Sequence, residues 1–245
     1  GTRIPGGGYL VVAADSEVFS ALRPEVKNMV GGWTGKLSFS GETVRLVDRD
    51  GAVVAKVSYT SEGDWAERRL VYDEMYNRYG WKWYAAHDGE GKSLELVNPS
   101  LPLNIGQNWQ SSLTDGGTPG AENSHFTEAE QLIPLISAVT HAPAVPDAGE
   151  TVTLQARVDA LPGCAVRVWG HWKANGSVVS QSVELADDGE FRKNGDVVAG
   201  DGVYSGILPG QALGTVVEFY ITATASNGEA EAEQIYPHVQ EAPGR

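Results

Sequence analysis

A chain of 245 residues is long enough for two ordinary domains, and its 30 glycines and 12 prolines favour short strands joined by turns over long helices. An apolar fraction of 41% excludes disorder, and a net charge of −14 opposes a nucleic-acid backbone or an anionic lipid surface. The single Cys164 excludes an intrachain disulfide and an all-cysteine zinc site, and no apolar run approaches the ~20 residues of a membrane helix.

The opening residues read as a glycine turn feeding a strand, which leads to the expectation of a fragment of a longer polypeptide. Tyr9 to Ala14 is an apolar strand, and Asp15 or Ser16 then offers an N-cap to a short helix over residues 16–23 that Pro24 stops. Thr43 to Val47 and Val53 to Tyr59 flank Asp48-Arg-Asp-Gly51, whose Asp-Gly step supplies the positive φ of a tight hairpin. Residues 61–92 form a long excursion in which Tyr72, Tyr76 and Tyr79 fall on one helical face ahead of Gly80, predicting a short helix near 68–79. Ser93 to Val97 alternates as a strand does and ends at the turn pair Asn98-Pro99.

A turn-rich, patternless stretch close to 121–131 marks the expected boundary. Beyond it Val152, Leu154, Ala156 and Val158 share one strand face, Val166 and Val168 a second, and Val217, Phe219, Ile221 and Ala223 a third. Asn227-Gly228 closes a last hairpin. Strands at this spacing without long helices between them predict an antiparallel sandwich of immunoglobulin-like type, with Trp169 or Trp172 as its buried anchor.

Ile4-Pro-Gly-Gly-Gly-Tyr-Leu-Val-Val12, the Asp50-Gly51 hairpin, Gly91-Lys-Ser-Leu-Glu-Leu-Val-Asn-Pro99, Asn108-Trp109 and Gly116-Gly-Thr-Pro-Gly-Ala-Glu-Asn-Ser124 resemble the latter part of a bacterial lamin-tail domain. That resemblance implies an immunoglobulin-like β-sandwich over residues 1–124, lacking its opening strands. Asp187-Asp-Gly189, Asn194-Gly-Asp196, Ala199-Gly-Asp-Gly-Val-Tyr-Ser205 and Val217-Glu-Phe-Tyr-Ile221 are similar to an immunoglobulin-like module of large secreted bacterial proteins. The expected fold is therefore all-β: two consecutive immunoglobulin-like sandwiches, at 1–124 and 132–240, joined by a linker at 125–131. Strands missing from the first would leave an edge to be covered by the aromatic excursion or by a second copy of the chain, and a self-covered monomer is expected.

The sequence carries none of the spacings His-Glu-x-x-His, Gly-x-Ser-x-Gly or Gly-x-x-x-x-Gly-Lys-Ser/Thr, and its five histidines (87, 125, 141, 171, 238) follow no metal-ligand pattern, so catalysis is not expected. Two features stand out. Seven of the twenty residues from Trp65 to Tyr84 are Trp or Tyr. Flat rings with polar rims suit sugars and peptide chains, which makes Trp65, Tyr72, Tyr76, Trp81, Trp83 and Tyr84 candidate ligand-binding residues; the competing reading makes them a satellite core under a long loop. The second is an acidic, glycine-rich stretch in which Asp187, Asp188, Asn194, Asp196 and Asp201 offer the oxygens that calcium requires; the competing reading makes them caps of their own turns.

The resemblances imply an extracellular or cell-surface location. They also imply a non-catalytic binding or spacer module of a larger protein, which contacts its own neighbouring domains and a protein or polysaccharide ligand. The alternative is a carbohydrate-binding module attached to an enzyme, with residues 65–84 as its platform. Neither nucleic acid nor membrane insertion is expected.

Overall fold

The computed structural model describes residues 2–127 and 132–237, apart from the side chains of Arg78 and Trp81. Most of the expected linker, residues 128–131, and His238 with the end of the expected second sandwich lie outside the described residues. The described chain is 40% strand and 7% helix, which places it in the all-β class. Among these residues no helix is long and apolar enough to cross a membrane.

The N-terminal part starts with β1 (Val11–Ala13), α1 (Ser16–Leu22) and β2 (Met29–Gly31), with β1 and β2 paired in parallel. Asp15 caps α1 by accepting from the N–H groups of Glu17 and Val18, each at 3.0 Å. The hairpin β3 (Gly41–Val47) and β4 (Val53–Thr60) forms where the sequence places it. One Asp48 oxygen accepts from Asp50 and Ala52, and Gly51 takes φ +85°.

The helix expected near 68–79 is instead a second hairpin, β5 (Glu67–Asp73) and β6 (Arg78–Tyr84). The tyrosine spacing imitates a helical face, but valine and the aromatics fit a pleated strand better, and the turn has its own chemistry. Asp73 accepts from the N–H groups of Met75 and Tyr76, while Asn77 adopts φ +50° and accepts from the Tyr72 hydroxyl. Where a truncated sandwich is expected, residues 2–127 show four two-stranded sheets, the fourth being β7 (Leu94–Leu96) with β8 (Trp109–Ser111). Val44, Leu46, Leu70 and Tyr72 of the two hairpins are all exposed, while Trp65 at the start of the aromatic excursion is buried.

Polar side chains hold these small sheets together. Glu95 on β7 is buried, yet accepts from the Ser124 N–H (2.7 Å), the Ser124 hydroxyl (2.5 Å), the Thr118 hydroxyl (2.9 Å) and the Ser93 hydroxyl (3.3 Å). Burial alone pushes its carboxyl up; the bonds from Ser124, Thr118 and Ser93 outweigh that and hold it below the ordinary glutamate value.

The C-terminal part has β9 (Leu135–Ala142), β10 (Val152–Asp159), β11 (Ala165–Ala174), β12 (Gln181–Leu185), the short α2 (Phe191–Asn194), β13 (Val203–Leu208), β14 (Val217–Ser226) and β15 (Glu231–Tyr236). They form two antiparallel sheets, ordered β13-β10-β9 and β12-β11-β14-β15. Alternate residues of both sheets, including Ile136, Leu154, Val158, Val168, Leu185, Leu208 and Ile221, pack into one core. Gly170 is also buried; a Cβ there would press on Leu154 and Leu185 at 3.0–3.1 Å. Of the two candidate anchors, Trp172 is 4% exposed and packs in the core, while Trp169 points out at 37%.

Two stability measurements follow. Trp172→Ala should cost about 3–5 kcal/mol in urea unfolding and Trp169→Ala under about 1 kcal/mol; equal losses would contradict the assignment of faces. Glu95→Gln should cost about 1–3 kcal/mol at pH 7. Because the folded-state pKa of Glu95 is depressed, its contribution is complete above the unfolded value of 4.5 and is lost as pH falls through the lower folded value. The wild-type advantage over Glu95→Gln should therefore shrink below pH 4.5.

Candidate functional site

The turn Gly106 to Trp109 organises the surface where the two parts of the chain meet. Gly106 donates its N–H to Asp64 Oδ2 at 2.9 Å, and a Cβ at Gly106 would collide with the backbone of Asp64 and Trp65. Burial pushes the Asp64 carboxyl above the ordinary aspartate value, against the pull of that N–H bond. The Gln107 side chain donates to the Ile235 carbonyl at 3.3 Å and accepts from the Ile136 N–H at 2.5 Å, which ties the turn to β15 and β9. Asn108 is buried and donates to the Asn98 and Pro102 carbonyls while accepting from the Asn98 N–H. Trp109 donates its indole N–H to the Leu103 carbonyl at 2.7 Å and packs against Trp65, with ring centroids 6.0 Å apart.

A cleft of about 330 Å³ opens beside this turn, at the base of the β5–β6 hairpin. Trp65, Trp83, Tyr84 and Trp109 supply its aromatic wall, and Gln110 and Gln234 face it from separate strands. Arg69 lies 3.3 Å above the Tyr84 ring and is paired with Glu67 at 3.2 Å, while Asp64, also in the lining, accepts from the Gly106 N–H. The cleft thus combines flat apolar surface with neutral hydrogen-bonding groups at a junction of two structural parts, a common setting for small-ligand sites.

The structure divides the six aromatic candidates. Trp65, Trp83 and Tyr84 meet in the cleft, and Trp65 also fills the structural role of the competing reading, being nine-tenths buried against Trp109. Tyr72 and Tyr76 stand away from it near the hairpin tip, exposed, with Tyr72 edge-on to Tyr79 at 5.2 Å. Cross-strand register puts Trp81 opposite Leu70. Trp109, Gln110 and Gln234 escaped the sequence reading because no motif links such distant positions; only the pairing of Asn108-Trp109 with the aromatic stretch offered a signal.

In the acidic loop, Asp187, Asp196 and Asp201 each bring a carboxylate oxygen within 4.8 Å of the others, and Asp196 is 1% exposed. Asp188 and Asn194 are engaged elsewhere: Asp188 accepts from the Glu190 N–H and the Asn194 amide, and Asn194 accepts from the Asp196 N–H. Asp187 accepts from the N–H groups of Gly200 (2.6 Å), Asp201 (3.2 Å) and Gly202 (2.9 Å), Asp196 from Gly189 (2.6 Å) and Asp201 from Val203 (2.9 Å). This bonding matches the turn-cap reading, and it secures the chain where it crosses from β12 in one sheet to β13 in the other, beside the Ala186–Ser205 bridge.

Compared with known protein families, with curated proteins and with solved structures, the chain matches none.

The two readings of the acidic loop separate on melting. As turn caps, Asp187→Ala should cost about 2–4 kcal/mol and wild-type melting curves in millimolar calcium and in chelator should superimpose. A calcium site would instead add about 2.7 kcal/mol when calcium stands a hundredfold above its dissociation constant, a gain that Asp196→Ala would abolish.

Proposed function

We propose that the chain is a non-catalytic binding module of a larger extracellular or cell-surface protein, and that it makes contact with a protein partner through the β5–β6 hairpin. The observation that carries this reading is the hairpin's open face. Leu70, Tyr72, Tyr79 and Trp83 share one side by register and are all exposed, and the Arg68 guanidinium sits 5.5 Å from the centre of the Trp83 ring. Aromatics and arginine on a projecting, exposed surface are the residues that dominate protein interfaces. The two-sheet order of the C-terminal part, with Trp172 buried on its third strand, supports the immunoglobulin-like reading of that region. Such a sandwich supports a spacer role as well as a binding one, and the lamin-tail resemblance supports the surface location.

A second reading, a carbohydrate-binding module serving an attached enzyme, is favoured by the aromatic cleft at the hairpin's base.

Fluorescently labelled chain applied to intact bacterial cells, before and after protease treatment of the cells, and to a glycan array separates the two. Protease-sensitive cell binding, reduced at least tenfold in Tyr72→Ala/Tyr79→Ala, is the expected result. A saturable glycan signal without protease-sensitive binding would replace the first reading by the second, and no binding to either would overturn both.

A further inference from the structure

We propose that the cleft between the Gly106–Trp109 turn and β15 binds a single ring of a neutral sugar chain, with the Trp65 indole N–H as one of its donors. This rests on the carbohydrate reading and gives it an address different from the hairpin platform. Trp65 and Trp109 are neighbours in one environment with opposite hydrogen-bonding outcomes. The Trp109 indole N–H reaches the Leu103 carbonyl, whereas that of Trp65, on a side chain nine-tenths buried, has no acceptor among the described residues. Buried indole N–H groups ordinarily find a partner, and Trp65 lines the cleft, which assigns the acceptor to an occupant there.

The chemistry of that acceptor follows from the rest of the lining. Arg69 and Glu67 neutralise each other, Asp64 adds a carboxyl to the lining, and the chain as a whole carries −14, so an anionic ligand meets no unpaired arginine or lysine here and an adverse field around it. Gln110 and Gln234 add amides, which both donate and accept, to the lining; the Gln234 oxygen already accepts from the Ile235 N–H, and its NH2 remains as a donor. Hydroxyl groups also do both, and the aromatic lining of Trp65, Tyr84 and Trp109 supplies the apolar surface that the C–H face of a sugar needs. A volume of about 330 Å³ admits a ring and its substituents. Trp65 and Gln234 both line the cleft and belong to different parts of the chain, so an occupant bonded to both bridges them.

The test uses the intact chain on an array of neutral, acidic and amino oligosaccharides, followed by calorimetry with the oligosaccharide that binds. The expected result is a neutral oligosaccharide whose affinity falls at least tenfold in both Trp65→Phe, which keeps the ring and removes the N–H, and Gln234→Ala, with Tyr72→Ala/Tyr79→Ala binding as wild type. Because Trp65→Phe can fail to fold, the Trp65 indole resonance of the wild type is followed in a ¹⁵N-edited NMR titration, where addition of that oligosaccharide should shift it. Sugar binding that Tyr72→Ala/Tyr79→Ala abolishes, with the Trp65 resonance unmoved, would leave the carbohydrate reading standing and overturn the cleft assignment. Binding confined to acidic or to amino oligosaccharides would overturn the neutral class, and binding of none would remove both the assignment and the reading beneath it.

Discussion

One side-chain amide spans the two parts of this molecule: Gln107 gives its N–H to the Ile235 carbonyl and takes the N–H of Ile136. Hydrogen bonds of this kind add only about 0.5–1.5 kcal/mol each, so they set position more than strength. The strength comes from Leu101 and Ile105 packing on Leu135, with Leu161 at the margin; burying each such side chain is worth about 1.5–3 kcal/mol. Apolar contact holds the parts together, and the amide fixes where they sit. On either side of Gln107 the same turn grips Asp64 through Gly106 and the Asn98–Pro102 loop through Asn108, so a short segment gathers strands that share no sheet.

The cleft is a by-product of this arrangement. Its aromatic wall belongs to the N-terminal part and Gln234 to β15, and neither alone encloses it. The hairpin differs: β5 and β6 pair only with each other, so their outer face is free to meet something outside the chain. Protein contact at the projecting face and small-ligand contact at its base place different physical demands on one aromatic segment. The first uses exposed area. The second uses enclosure and an unmatched donor.

Local chemistry was legible in the sequence. Asp15 capping α1 and Asp50-Gly51 turning β3 into β4 involve neighbours only, and residue type decides them. The C-terminal strands were legible because alternation survives where both sheets bury one face, as it does for Leu154, Ala156 and Val158. The β5–β6 hairpin was misread because its turn has no glycine; Asn77 provides the positive φ, and tyrosines at intervals of four and three fit a helix equally well. Between Trp169 and Trp172 the alternation that puts Val166 and Val168 on one face already pointed to Trp172, a continuation that the sequence reading did not make. The cleft was not legible, because Gly106 needs to be glycine for the sake of the Asp64 backbone 42 residues away, and Gln107 looks like any polar loop residue until its partners are known.

Residual dipolar couplings test most directly whether the Gly106–Trp109 turn makes one body of the two parts. A single alignment tensor should fit the backbone N–H couplings of residues 2–127 and 132–237 in the wild type, and the two ranges should need separate tensors in Ile105→Ala/Gln107→Ala, which removes both the apolar seat and the bridging amide. Separate tensors in the wild type, or one tensor that survives the double substitution, would contradict the central role of this turn.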